Sequence, residues 1–360
     1  MSWVLSIGVL ALLVFIHELG HFLAARWQGI HVNRFSIGFG PAIWTYQTAE
    51  TEYALRLFPL GGYVGFPDDD PECDIPAHDP NLMSNRPLLD RAVVISAGVL
   101  ANFVFAYLCI LVLVITVGIG TVDTPGVQVS KLLGSNVPAV QAGLRPQDII
   151  LQARAGEQVT SFGNSTTVLE EFRNYISHHA HQTLDLTVQR QGQIMHLQVT
   201  PQGEPNHGKI GVSLDFSSAP YRRPIRNWSA FAWAAQEFDR IFDMTWQGLW
   251  NLINNFQDTA NQLAGPVAIV AIGSELAQSD WWNLCNFMAV ISINLGFMNL
   301  LPLPALDGGQ LLFLAIEAVA GKPVPPKWQD NFMRGGLALL LGLGALMIIK
   351  DSYGLFSQYL

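Results

Sequence analysis

Four apolar runs of membrane length frame this chain: Trp3–Ala25, Ala92–Gly120, about Trp281 to Leu303, and Phe332–Ile349. A helix that crosses a bilayer core needs about 20 predominantly apolar residues. Half of the 360 residues are hydrophobic and 13% are charged, against roughly a quarter charged in soluble domains. The pattern predicts a polytopic α-helical membrane protein with about four transmembrane helices, embedded in a lipid bilayer. A further apolar piece, Leu311–Gly321, follows Asp307 and is expected to continue the helical region of the third span. Arg26, Arg34, Arg56, Arg86 and Arg91 lie between the first two runs, and Lys322, Lys327 and Arg334 near the junction of the last two. The positive-inside rule therefore puts both short loops in the cytoplasm, and residues 121–281 and both termini outside. The first run lacks a basic n-region and is not read as a cleavable signal peptide. A net charge of −9 gives no footing for nucleic acid. The cysteines, Cys73, Cys109 and Cys285, form no C-x-x-C pair, so neither a disulfide framework nor a thiolate zinc site is indicated.

The first run contains His17-Glu18-Leu19-Gly20-His21. An ionisable group at the bilayer centre costs roughly 2.5–3.5 kcal/mol on insertion scales, and such residues mark function. On a helix, residues i and i+4 share a face, so both imidazoles can reach one metal ion. Glu18 beside them has the position of a general base. Counted from Arg26 at the inner surface, His21 lies ~7 Å and His17 ~13 Å deep, at 1.5 Å rise per residue. The metal is expected to be buried but nearer the cytoplasmic side.

Two histidines need at least one more protein ligand and an open position for water. Asp307 is the candidate, as the acid between Asp280 and Glu317 in Asn299-Leu-Leu-Pro302-Leu-Pro304-Ala-Leu306-Asp307-Gly308-Gly309. Pro302 and Pro304 break the helix and free backbone groups, which membrane depth tolerates where they line a cavity.

Together, these two motifs resemble the site-2 protease family of intramembrane zinc metalloproteases (peptidase family M50), in the branch of the regulator of sigma-E protease. The resemblance covers almost the whole chain. It implies that His17, His21 and Asp307 bind Zn²⁺, that Glu18 activates water, and that Asn294 and Asn299 engage the substrate backbone. Phe35-Ser-Ile-Gly38-Phe-Gly40-Pro41 and Tyr53–Val64, with strand-like alternation and glycine turns, resemble that family's re-entrant β-loop, whose edge could pair with an extended substrate. Relatives often carry proline where this chain has Val99, within Arg91–Phe103. There Gly98 is expected to allow close helix approach and Asn102 to make an interhelical hydrogen bond, without a catalytic role. Asp68-Asp69-Asp70-Pro71-Glu72 lacks EF-hand spacing and reads as a solvated acidic loop.

From about Thr121 to Phe216 charges return, with strand signals at Val127–Val129, Ile149–Ala153, Leu184–Arg190 and Ile194–Val199, and a helix over Val168–His178. Pro138–Ile150 resembles the turn-and-strand signature of a PDZ domain, with Gln147 where many relatives have glycine. One inserted α/β PDZ domain is expected, implying a single-PDZ subtype. It either binds a peptide ligand by strand addition or filters substrates by size. His178, His179 and His181 read as a solvated cluster. Asn227–Asn255, rich in Trp and Phe among charges, suits the membrane interface. The expected organisation is a catalytic membrane segment with the re-entrant loop over 1–120 and the PDZ domain over 121–216. An amphipathic interfacial linker over 217–280 and a second catalytic membrane segment over 281–360 follow.

The resemblance implies peptide-bond hydrolysis in single-span membrane proteins such as an anti-sigma factor, as the second cut of regulated intramembrane proteolysis. A bacterial plasma membrane is the expected location, with a thylakoid or plastid membrane as the alternative. The rival readings are a metal transporter and an inactive PDZ scaffold. Glu18 beside a ligand and the lack of a visible inverted repeat count against the first. The complete set of residues for hydrolysis counts against the second.

Overall fold

The structure, a computed structural model, describes residues 2–70, 75–134, 136–255, 265–279 and 281–357. In chain order its elements are α1 (Ser2–Trp27), β1 (Arg34–Gln47), β2 (Glu52–Gly65), α2 (Leu88–Thr116), β3 (Ile119–Thr121), β4 (Val127–Leu132), α3 (Pro138–Gln141), β5 (Ile149–Ala155), β6 (Gln158–Ser161), α4 (Val168–His178), β7 (Leu184–Arg190), β8 (Gln193–Val199), β9 (Val212–Phe216), β10 (Tyr221–Arg223), α5 (Ser229–Asn254), α6 (Pro266–Ser279), α7 (Trp281–Leu300), α8 (Asp307–Ala320) and α9 (Pro326–Ser357). The chain divides into two compact units: Met1–Leu113 with Trp228–Leu360, and Val114–Asn227.

In the first unit, four helices among the described residues are long and apolar enough to cross a membrane: Trp3–Trp27, Leu88–Thr116, Trp282–Leu300 and Lys327–Asp351. Their ends differ from the apolar runs for local reasons. The second run extends to Gly120, but its helix stops at Thr116, because Gly118 takes a φ of +96° and Ile119–Thr121 becomes a strand paired with Tyr221–Arg223. The third helix stops at Leu300 rather than Leu303. Pro302 disfavours helical geometry in the residue before it, and Ala305 has a φ of +65°. Leu311–Gly321 is therefore not a continuation of that helix: the chain turns and starts α8 anew at Asp307.

The segment expected as an interfacial linker contributes two helices to this unit. α5 packs Phe238 and Phe242 against Phe103 of α2, at ring-centroid distances of 6.3 and 5.8 Å. Phe242 also meets Phe297 of α7 at 4.5 Å. α6 approaches α1 at Gly273, where an added Cβ would strike Ser6 Oγ.

Between α1 and α2, each of β1 and β2 folds back on itself at glycines. Phe35, Ser36 and Ile37 pair in parallel with Tyr53, Ala54 and Leu55, and on their other side with Val64, Tyr63 and Gly62 in the opposite sense. Trp44, Thr45 and Tyr46 pair with Leu55, Ala54 and Tyr53. The small sheet thus has Gly62–Val64 on one edge and Trp44–Tyr46 on the other. Phe15 and Phe22 of α1 sit edge-on to the buried Phe35 at 6.0 and 5.2 Å, which seats the sheet on that helix.

The acidic stretch after this sheet is less free than its sequence suggests. Asp68 accepts the backbone N–H groups of Met83 and Ser84 at 2.9 and 3.2 Å, and Asp70 pairs with Arg34 at 3.3 Å. Glu72 and Cys73 lie outside the described residues.

The second unit is an antiparallel sheet in the order β8-β7-β5-β4-β9, with β6 beside β5. The helix over Val168–His178 and the strand over Leu184–Arg190 have the bounds their periodicities predict. Leu184, Leu186 and Val188 alternate inward from β7 and meet Phe172 and Ile176 of α4 in one core. Below the core, Asp148 is 1% exposed and forked by Arg190, with Nε–Oδ1 2.6 Å and Nη2–Oδ2 2.7 Å. That carboxylate raises the pKa of the guanidinium, and it also accepts the Arg145 N–H at 2.8 Å.

The turn that delivers Asp148 is left-handed at Gln147, with a φ of 72°. A Cβ is disfavoured in that region, which explains in physical terms why glycine suits this position. Gln147→Gly is expected to stabilise this unit by up to about 1 kcal/mol, since strain relief outweighs the added unfolded-state entropy. Thermal unfolding of the full chain checks it; a lower midpoint would contradict the strain.

A candidate metal centre between the membrane helices

α1 presents His17, Glu18 and His21 on successive positions of one helical face and its flank. α8 brings Asp307 to them as its first residue, after the extended Leu306. One donor atom each from His17, His21 and Asp307 lie within 4.8 Å of one another. His17 Nε2 is 3.1 Å and His21 Nε2 3.4 Å from Asp307 Oδ2, and the two Nε2 atoms are 3.2 Å apart. Asp307 Oδ2 is buried and has no hydrogen-bond donor among the described residues. Two imidazole nitrogens and a carboxylate oxygen aimed at one point, with that oxygen otherwise unsatisfied, fit a divalent metal ion.

The glycines around the centre account for its geometry. A Cβ on Gly98 of α2 would overlap His21 Nε2 and come within 2.8 Å of His17 Cε1. The expected close approach is therefore made to the two imidazoles themselves. A Cβ on Gly308 would overlap the carbonyl oxygens of Leu300 and Leu301. Only a bare backbone lets the end of α7 fold down over the start of α8 and set Asp307 against α1. Gly308→Ala is expected to lower both metal affinity and thermal stability, by about 1–3 kcal/mol for the latter; a variant with wild-type metal content and melting point would refute this role.

Glu18 turns toward the small sheet. Its Cγ lies 2.9 Å from where a Gly62 Cβ would stand. Gly62 and Val64, on the sheet edge, line a cavity of about 830 Å³ together with His17, Glu18, His21 and Asp307. The far wall of that cavity carries an ion pair between Arg91 of α2 and Glu317 of α8.

The two asparagines implied as substrate-binding part company. Asn299 lines the cavity, with Nδ2 3.2 Å from His17 Nε2 and 3.4 Å from Nδ1. Asn294 faces α5, where its Oδ1 accepts the Thr245 hydroxyl at 2.9 Å. Asn102, expected only to link helices, has its Nδ2 3.1 Å from His17 Nδ1 and is fully buried. A polar residue four positions after Gly98, on the same helical face and in an otherwise apolar run, was the available signal. The remaining neighbour has none in the sequence: it is the Val94 carbonyl, 2.8 Å from His21 Nδ1.

A helix-borne His-x-x-x-His pair joined by a distant carboxylate, with an adjacent glutamate, is the donor pattern of a metalloprotease, here set among membrane helices. The sequence profile of peptidase family M50 matches residues 5–343, and the chain belongs to that family, the site-2 proteases. It is a multi-pass membrane protein. It is 52% identical over 359 residues to a Nostoc sp. protein named "Putative zinc metalloprotease", covering 99% of this chain and 98% of the relative. A Synechocystis sp. protein of the same name is 48% identical over 351 residues, covering 97% and 94%. "Membrane metalloprotease ARASP, chloroplastic" of Arabidopsis thaliana is 40% identical over 354 residues, covering 97% of this chain and 78% of the relative.

Proposed function

We propose that this chain is an intramembrane zinc metalloprotease that hydrolyses a peptide bond within or near the transmembrane segment of a single-span membrane protein. The observation that carries this reading is the convergence of His17, His21 and Asp307 beside Glu18, in a cavity bordered by the Gly62–Val64 edge of the small sheet. His17, His21 and Asp307 would hold the zinc, a donor set that suits this metal and agrees with the names of the relatives. Zinc bound there supplies Lewis acidity toward a carbonyl and acidifies a water.

The chain's own groups do the rest. Glu18 takes the proton from the attacking water and delivers it to the leaving nitrogen, from a position against Gly62 of the small sheet. A substrate helix must unwind before its bond is exposed, which frees backbone groups that cost several kcal/mol each in hydrocarbon. The Gly62–Val64 edge of the small sheet, read as a re-entrant β-loop, pairs with the unwound strand, and the Asn299 amide is placed to hydrogen-bond it.

We read the second unit as a single PDZ domain that admits substrates already shortened on their outer side. The reaction is then the second cut of regulated intramembrane proteolysis, such as release of an anti-sigma factor, in a bacterial plasma membrane or a thylakoid membrane. The test uses purified full-length protein in detergent with a tagged single-span substrate, in long and shortened forms. Cleavage of the shortened form that stops on chelation and returns with zinc is expected. Cleavage that persists after chelation would overturn the metalloprotease reading, and equal cleavage of both forms would overturn the role given to the outer unit.

A further inference from the structure

An imidazole that binds a metal through one nitrogen must hold its proton on the other. At His21 this requirement is met visibly. The Val94 carbonyl, 2.8 Å from Nδ1, only accepts, so Nδ1 carries the proton and Nε2 turns its lone pair toward Asp307. Among the described residues His17 has no such carbonyl. Its Nε2 faces Asp307 Oδ2 and His21 Nε2, and its Nδ1 faces the side-chain amide of Asn102. Asn299 lies nearly equidistant from both ring nitrogens. A donor shared between the two nitrogens in this way does not fix which of them carries the proton.

We infer that Asn102 is the positioning residue that fixes the tautomer of His17, by accepting the Nδ1 proton through its Oδ1. This rests on the reading of His17 as a zinc ligand. An amide's oxygen and nitrogen are assigned from their surroundings. With Nδ2 toward His17, Oδ1 is buried without a donor among the described residues, and a buried site that offers an oxygen no donor is a poor oxygen site. Turning the amide over puts Oδ1 against Nδ1–H and leaves Nε2 free for the metal. The backbone around Asn102 is prepared for such a role. Its carbonyl accepts the hydroxyl of the buried Ser292 of α7 at 2.8 Å, which ties α2 to α7 at this residue. Outer partners of this kind typically change metal affinity 10–100-fold when removed.

The experiment measures zinc affinity of purified full-length protein in detergent, by competition with a chromophoric chelator. It compares wild type, Asn102→Leu and Asn102→Asp. A carboxylate only accepts, so Asn102→Asp keeps the proposed bond, and its affinity is expected within about threefold of wild type. Asn102→Leu is expected to bind about 10–100-fold more weakly. Wild-type affinity in Asn102→Leu would overturn the inference. So would a loss in Asn102→Asp matching that in Asn102→Leu, since it would mean that the amide donates to Nδ1. If Asn102→Leu does not fold, Asn102→Asp alone decides between accepting and donating. A wild-type protein that binds no zinc would overturn the zinc reading beneath the inference, an outcome distinct from all of these.

Discussion

Glu18→Gln is expected to lower cleavage of a single-span substrate by about 10²- to 10⁴-fold, the range for loss of a general acid–base group, with zinc still bound. The two halves of this result are separable because the structure separates them. The metal-facing atoms belong to His17, His21 and Asp307, whereas Glu18 packs against Gly62 on the sheet edge. Glutamine has nearly the same volume, so the wall at Gly62 is preserved. What it loses is the ability to take a proton. Measuring zinc content and single-turnover cleavage on the same preparation checks both halves. Undiminished cleavage by the variant would remove Glu18 as the base. Loss of zinc along with activity would mean that Glu18 holds the metal site together.

The parts of this molecule that the sequence discloses are those whose signals are local. β7 shows its inward face in the alternation Leu184, Leu186, Val188, and all three are fully buried. His17 and His21 announce their shared face by their spacing. Asp307 could be singled out because an acid is costly in an apolar stretch and prolines beside it break the helix. Contacts between distant segments are different in kind. Asn102 lies 85 residues from His17 in sequence; the run around it puts its amide on the face of Gly98, toward another helix, but does not name the histidine it meets. Asn294 and Asn299 look equivalent as two amides on one apolar helix. They separate only because positions five apart point in different directions, one toward α5 and the other over His17. The ends of the membrane helices were obscured for a related reason. Hydropathy continues through Leu303, while backbone geometry ends the helix at Leu300. The ion pair between Arg91 and Glu317 joins residues 226 positions apart, a separation at which no periodicity carries information.

Gly98→Ala tests how tightly α2 seats the two histidines, and it is expected to weaken zinc binding at least tenfold and to lower stability. The added methyl would stand 2.6 Å from His21 Cε1 and 2.8 Å from His17 Cε1, well inside van der Waals contact. A flexible neighbour could yield, but these rings cannot move freely. His21 is tied to the Val94 carbonyl and His17 to Asn102, both on the same helix as Gly98. Relief must come from α2 moving off α1, where Gly20 now lies against the Ala97 carbonyl. Overpacking of this kind costs about 1–3 kcal/mol, and about 1.4 kcal/mol spent on ligand geometry is already tenfold in affinity. Gly8→Ala, on α1 with no described residue within 4 Å of its added Cβ, is the matched control. It is expected to leave zinc binding unchanged and to gain up to about 1 kcal/mol from helix propensity. Chelator competition and thermal unfolding on the two variants separate a general response of membrane helices to alanine from a collision at the metal. Wild-type affinity in Gly98→Ala would mean that α2 does not press on the imidazoles.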